Sequence, residues 1–401
     1  MINKMIDINN KLCTGCGACI SICPMKCITF SKNLEGFNIP LIDMSKCINC
    51  GKCKSVCCLE KDKIQGIVDE KQEAYAAITK DNNLWKNSSS GGAFTEICKA
   101  ITELSENKEV IYCGAVLDGK NVFHKCVDKI ENIDIFRKSK YVQSDLKDCF
   151  LKIKSALELN KYVVFSGVPC QVYGLRSFLG KKYEKLFCID LICHGVGSPE
   201  VFKDCLENEE KKRSKKIKKY EFRYKNVKFG NFERYTSYYL FEDGSNKKIK
   251  VDNYNKLFLN QVCLRSSCGE NCKFRNINRQ GDITIADFNG KIKVFPEIND
   301  YRNYSTVVFN NKQGKKIKEI LSQNMEMYEC DIKQVCIHNP LFCRTTKGNE
   351  KREQFFEEYE EGKKIENLVK KYGVKFSFNK GVIIQYIPYK LKRIIFDIVR
   401  R

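Results

Sequence analysis

Two stretches near the amino terminus repeat one cysteine spacing, Cys13-x2-Cys16-x2-Cys19-x3-Cys23-Pro24 and Cys47-x2-Cys50-x2-Cys53-x3-Cys57. That repeat leaves the chain little freedom in what it folds around. Three cysteines two residues apart lie on one tight loop, where their thiolates reach three irons of a single cubane and backbone N–H groups face the cluster sulfurs. The fourth cysteine turns away, and in two-cluster ferredoxins it ligates the other cluster. The pattern therefore predicts two [4Fe-4S] clusters, one held by Cys13, Cys16, Cys19 and Cys57, the other by Cys47, Cys50, Cys53 and Cys23. Gly15, Gly17 and Gly51 suit loops that need positive φ and close approach of backbone to an inorganic core.

Zinc is the alternative that paired cysteines always raise, but zinc ribbons separate two C-x2-C hooks by a long loop. Runs of four cysteines at this spacing, twice over, do not suit a tetrahedral scheme. The repeat is imperfect in two places: Cys58 stands where the second copy would carry proline, and the long gap from Cys23 to Cys47 predicts a hairpin insertion around Asn33-Leu34-Glu35-Gly36. Neither removes a ligand. Cys27 and Cys58 are read as packing residues.

A length of 401 residues with 43% hydrophobic content allows two or three domains with proper cores. The first eleven residues hold no apolar leader segment, and no stretch approaches the length of a membrane span. With thiolates that must stay reduced, the expectation is a cytoplasmic protein. The formal net charge of +22 points to anionic partners: a phosphate-bearing cofactor, an acidic redox protein, nucleic acid or an anionic membrane. No nucleic-acid-binding motif accompanies the charge, and the run Lys211-Lys212-Arg213-Ser214-Lys215-Lys216 reads as a solvated linker.

Residues 1–62 form the cluster module, too small for a core of its own. Beyond it the texture alternates. Ala74–Ile78, Val110–Val116 and Tyr162–Phe165 read as strands, and Ala93–Ile101 as an apolar-periodic helix, which predicts an α/β domain with a mixed sheet over 70–165 and 166–345. Tyr220–Tyr224 and Tyr235–Leu240 read as paired strands, and Asp282–Asp287 as another. Residues 346–401 are charged and helical, ending in a basic amphipathic segment, Tyr389–Arg401, that suits a membrane surface, a partner or simple packing.

Four central segments carry chemistry. Ser88-Ser89-Ser90-Gly91-Gly92 precedes a helix and offers either an anion site or an ordinary cap. Gly167-Val168-Pro169-Cys170-Gln171 and Leu191-Ile192-Cys193-His194-Gly195 each follow a buried strand, the place where α/β folds build ligand sites. Cys263, Cys268 and Cys272 precede Gly281–Gly290. These segments resemble the beta subunit family of coenzyme F-420 hydrogenases and dehydrogenases over roughly residues 1–345, with Cys170 and Cys193-His194-Gly195 in the most specific parts.

The resemblance implies an α+β or α/β fold in which a small two-cluster ferredoxin-like module is fused to a mixed-sheet α/β flavin-binding domain. It implies FAD, with Ser89, Ser90, Gly91, Gly92, Gly167, Pro169, Gln171 and Asp287 as candidate contacts, and a possible third [4Fe-4S] cluster on Cys170, Cys193, Cys268 and Cys272. Those four could equally be buried thiols, since free cysteine is among the most buried residue types. The chain departs from the family pattern at Cys268-x3-Cys272, where two intervening residues are usual, and at Asn289, where tryptophan is usual.

His194 is the candidate general acid, with a pKa expected near neutrality, or else a turn-bonding residue. Asp287 either binds a hydroxyl or caps a turn. The implied activity is an iron-sulfur flavoprotein oxidoreductase passing electrons between clusters and a hydride donor or acceptor: a deazaflavin coenzyme, or another small metabolite such as a sugar or glycan intermediate. Its partner would be an electron-carrier protein such as a ferredoxin. The rival is a non-catalytic electron-relay subunit with clusters and no flavin.

Overall fold

The computed structural model describes residues 11–106, 108–228, 231–233 and 235–375, with residues 391 and 394 beyond them; the basic segment expected over 389–401 otherwise lies outside the described residues. The amino-terminal module holds two short helical turns, Ala18–Ile22 and Lys52–Ser55, one inside each cysteine motif. Gly17 and Gly51 open them in the same left-handed conformation, φ 75° and ψ −3° against φ 75° and ψ −2°. The sequence repeat is thus a structural repeat, and a side chain at either glycine would be strained.

The insertion between the motifs is the expected hairpin, β1 (Ile28–Lys32) against β2 (Asn38–Ile42), and its tip docks on the rest of the chain. Phe37 is buried and meets Phe356 edge-on at 6.1 Å. Arg352 grips both carboxylate oxygens of Glu35, at 2.9 and 2.6 Å, and donates its Nε to the carbonyl of Leu264. This half-buried bidentate pair ties module to body, so Arg352→Ala is expected to cost about 1.5–3 kcal/mol, read as a lowered denaturation midpoint.

The body is organised by one eight-stranded sheet. Its strands include β3 (Glu73–Thr79), β4 (Val110–Asp118), β5 (Asn121–Val127), β6 (Tyr162–Gly167) and β7 (Leu186–Leu191). A separate antiparallel layer of β8 (Ile217–Glu221), β11 (Thr236–Phe241) and β12 (Asn246–Lys250) is accompanied by a small ribbon, β9 (Asn226–Lys228) with β10 (Asn231–Glu233). The main sheet is completed by β13 (Ile283–Asp287), β14 (Ser305–Phe309) and β15 (Met325–Cys330), in the order β15-β3-β14-β13-β7-β6-β4-β5. Its centre, β13-β7-β6-β4, is parallel, and its flanks are antiparallel. The central strands β6 and β7 read Tyr-Val-Val-Phe and Leu-Phe-Cys-Ile because both their faces are covered. The helix Ala93–Leu104 covers one face, and the helices Cys149–Glu158 and Pro169–Leu179 the other.

A second core gathers the helices Pro199–Arg213 and Asn253–Leu259 with the small antiparallel layer. The structure revises several expectations here. The main sheet draws strands from both 70–165 and 166–345. The charged tail is not a tail up to residue 372: Phe355, Phe356, Leu368, Val369 and Tyr372 lie in the second core, their apolar positions masked in sequence by the charges between them. The strand expected at 220–224 ends at Glu221, freeing Arg223 to reach Asp287. Lys211, Lys212 and Arg213 of the lysine run form the last turn of a helix, where cations complement its carboxyl end; Arg213 pairs with Glu209, and Lys216 beyond the helix with Glu210. No helix among the described residues is long and apolar enough to cross a membrane.

Candidate functional site

The two motif groups separate as the spacing predicts. Cys23, Cys47, Cys50 and Cys53 line one small pocket at the outer end of the module, with Cys27, Ile28 and Ile42 behind them; Cys50 is exposed. Cys19 sits instead among Cys16, Cys13 and Cys57: burial first, then those neighbours, raise its thiol well above the usual range. Both groups supply four soft donors on loops with left-handed glycines, and this fits four-thiolate iron-sulfur clusters.

The two leftover cysteines have found a use. Cys27 Sγ lies 3.4 Å from Cys23 Sγ; burial raises the Cys23 thiol, but the backbone N–H and thiol of Cys27 outweigh this and lower it. A hydrogen bond from Cys58 pulls Cys57 down to about 6. Each spare thus hydrogen-bonds the fourth cysteine of a motif, so neither is only a packing residue.

The inner group abuts the body. Gly174, in the helix Pro169–Leu179, faces Cys16 so closely that a Cβ there would stand 3.0 Å from Cys16 Cβ and 3.1 Å from its Sγ. One turn earlier in the same helix, Cys170 is half-buried, and its thiol is raised well above the usual range by desolvation and then by Cys193, Cys272, Cys16 and Cys268. Burial likewise pushes Cys193 to about 12, with Cys268 and Cys272 adding to it. The four later cysteines therefore converge, despite the extra residue between Cys268 and Cys272; a short 3-10 turn, Gly269–Asn271, absorbs it. Burial disfavours the thiolate forms of Cys170, Cys193 and Cys268, and a metal-borne positive charge would favour them.

The loop bearing Cys193 is fixed from below. Asp190, fully buried, pairs with Arg279 at 3.1 Å and accepts from Gln280 N, Gly281 N and Thr284 Oγ1. Arg279 in turn donates to the carbonyl of Leu191. A carboxylate with this many partners is a rigid post. Gly195, at φ 123°, lets its own N–H reach Cys193 Sγ at 3.3 Å.

Cys193 also lies on the wall of a cavity of about 510 Å³ at the carboxyl ends of β6 and β7, within the roughly 300–1,000 Å³ of small-molecule sites. Of the sequence candidates, Ser89, Ser90, Gly92, Gly167, Gln171, Asp287 and His194 line it, whereas Gly91 and Pro169 do not. Gly91 serves packing, since a Cβ there would stand 2.3 Å from the Ala77 carbonyl oxygen; Pro169 is the buried first residue of its helix. The serine hydroxyls are engaged internally: Ser90 donates to the Tyr304 carbonyl, and Ser89 accepts from Ser139 N. Gly92, at φ 91°, opens the helix Ala93–Leu104 with no side-chain cap, leaving the positive helix end at the cavity wall.

One expectation needs correction. Burial lowers the His194 imidazole to about 4, so it is neutral at neutral pH and carries no stored proton; its Nε2 is buried without a hydrogen-bond partner among the described residues. Asp287 Oδ2 accepts from Arg223 at 2.7 Å. Sequence reasoning missed His124 and Lys140. His124 stacks on Phe165, bonds the Ser166 carbonyl through Nε2 and leaves Nδ1 without a partner among the described residues in the cavity wall; its only sequence signal was the rarity of histidine. Lys140, half-buried and bonded to the carbonyls of Phe136 and Arg137, is lowered to about 7 by desolvation. With Arg137, Lys138 and Arg223 it gives the wall a basic cast.

Residues 160–335 match the family described as the carboxyl-terminal part of the coenzyme F420 hydrogenase/dehydrogenase beta subunit, and residues 12–60 match the 4Fe-4S dicluster domain. A relative from Methanosarcina mazei, the F subunit of F(420)H(2) dehydrogenase, is 23% identical over 338 residues, covering 80% of this chain and 86% of its own. A solved structure of the F420-reducing [NiFe] hydrogenase complex from Methanosarcina barkeri aligns with a TM-score of 0.41 and 16% identity, over 79% of this chain and 98% of that one.

Proposed function

We propose that this chain, whose residues 160–335 match the coenzyme F-420 hydrogenase/dehydrogenase beta-subunit family and whose residues 12–60 match the 4Fe-4S dicluster domain, is an iron-sulfur flavoprotein oxidoreductase. One observation carries the reading. The cysteine groups form a row from surface to cavity: exposed Cys50 in the outer pocket, Cys53 beside Cys19, Cys16 beside Cys170, and Cys193 on the cavity wall. A row that ends at a dead wall would conduct to nothing; this one ends at a chamber of cofactor size.

The cavity's features suit a flavin dinucleotide. Gly92 and the uncapped helix start, with Arg137, Lys138 and Lys140 near, suit its phosphates; the neutral imidazoles of His124 and His194 offer unspent ring nitrogens to its polar edge. A flavin bound there supplies the exchange between single electrons and a hydride. The protein's own part is to hold the cysteine loops rigid through Asp190 and Arg279, and to present neutral hydrogen-bonding groups. The basic wall favours an anionic hydride donor or acceptor, either a deazaflavin coenzyme or another small metabolite such as a sugar or glycan intermediate, and an electron-carrier protein such as a ferredoxin would meet the exposed Cys50 end.

Gly92 tests this. A Cβ there would stand 2.8 Å from Thr79 Cγ2 on a left-handed backbone, so Gly92→Val is expected to weaken FAD binding at least about tenfold while the iron content stays unchanged, measured by fluorescence titration of deflavinated protein. If the unaltered protein takes up no FAD at all, the chain is an electron relay.

A further inference from the structure

Two buried arginines lie beside the inner cysteine groups, and neither has a carboxylate. Arg265 is 4% exposed and Arg275 5%. Arg265 donates to the carbonyls of Cys13 and Asn38, at 2.6 and 3.0 Å; Arg275 donates to the carbonyls of His194 and Gly269 and to Thr346 Oγ1, at 2.6, 3.2 and 3.0 Å. No Asp or Glu among the described residues pairs with either, although the buried Arg223 and Arg279 and the half-buried Arg176 each have one. A buried cation without a counter-charge is costly, and neutral carbonyls do not supply one.

The missing negative charge has an obvious source by position. Arg265 touches the Cys13 loop, and its own carbonyl accepts from Cys268 N. Arg275 bridges the His194 and Gly269 loops, on which Cys193 and Cys268 sit. Four neutral thiols would leave both cations uncompensated; a four-thiolate cluster, whose thiolates outweigh the charge of its core, balances them. At the outer group the nearby cations Lys46, Lys52 and Lys54 are mostly solvent-exposed and screened, and Lys46 and Lys54 already pair with Asp43 and Glu60.

We propose that Arg265 and Arg275 are the built-in counter-charges of the two inner clusters, raising their reduction potentials above that of the outer cluster, so that electrons run from the Cys50 surface toward the cavity. A positive charge held in a poorly screened interior favours the more negative, reduced state of a neighbouring cluster. This deepens the proposed function and rests on it for the third cluster, but Arg265 beside Cys13 bears on the amino-terminal pair alone.

The test is an EPR-monitored redox titration of the anaerobically purified full chain. In R265Q and R275Q the inner midpoints are expected to shift downward while the outer midpoint stays, and R265K is expected to return the midpoint to that of the unaltered protein. Unchanged midpoints in both glutamine variants at full iron content would overturn the proposal. If the variants lose iron, the reading moves to C193A/C272A, where the counter-charge of Arg275 is gone. Adding R275Q to that background should then raise the thermal midpoint; if Arg275 merely staples two loops together, adding it lowers the midpoint and refutes the idea. An iron count of about eight rather than about twelve in the unaltered protein would instead sink the third-cluster reading, and the Arg265 effect on the Cys13 group would remain measurable.

Discussion

Cys193→Ala is expected to remove about four irons per chain, leave the amino-terminal clusters intact, and slow electron passage between them and the cavity by at least about a hundredfold. The reasoning is positional. Cys193 is the one candidate ligand that also lies on the cavity wall, on a loop held by Gly195 and by the Asp190–Arg279 post. Cys188 supplies the control: it is fully buried in β7, two residues before Asp190, in a core of apolar side chains. Cys188→Ala removes a comparable side chain and is expected to cost about 1 kcal/mol of stability and no iron. If both variants keep full iron, the four later cysteines are packing residues.

Gly174→Val is the second large effect, and it separates assembly from ligation. The new Cβ would stand 2.9 Å from the Cys16 carbonyl oxygen, against backbone that cannot swing aside. The module must then shift relative to the helix Pro169–Leu179. All twelve candidate ligands remain, so the iron content is expected to hold, while electron passage from the inner amino-terminal cluster falls at least about tenfold because its separation from the next group has grown. Stopped-flow absorbance during anaerobic reduction reads both. Gly348→Val is the control, since nothing lies within 4 Å of a Cβ there. Equal rates in the two variants would mean that electrons do not cross at Cys16.

What the sequence made legible was whatever chemistry dictates locally. The two cysteine motifs could be read as two groups because cluster geometry leaves little choice, and β3, β4, β6 and β13 were visible as apolar runs between breakers. The burial of Phe355, Phe356 and Leu368 was hidden because a helix that buries one face among many charges reads as solvated. Charges were misread for a related reason: a sequence shows that Arg223 and Asp287 exist but not that they meet across 64 residues. The pKa of His194 was set by its walls, which no local pattern shows. Arg265 and Arg275 looked like two more cations in a chain of net charge +22; only their burial without a carboxylate distinguishes them.

The central claim is that the cysteine row delivers electrons to a cofactor in the cavity, and the most direct measurement is iron, acid-labile sulfide and flavin per chain on protein purified without oxygen. The account predicts about twelve irons, matching sulfide and about one flavin. Zinc in place of iron, or a full iron complement with no flavin even after incubation with FAD, would contradict it.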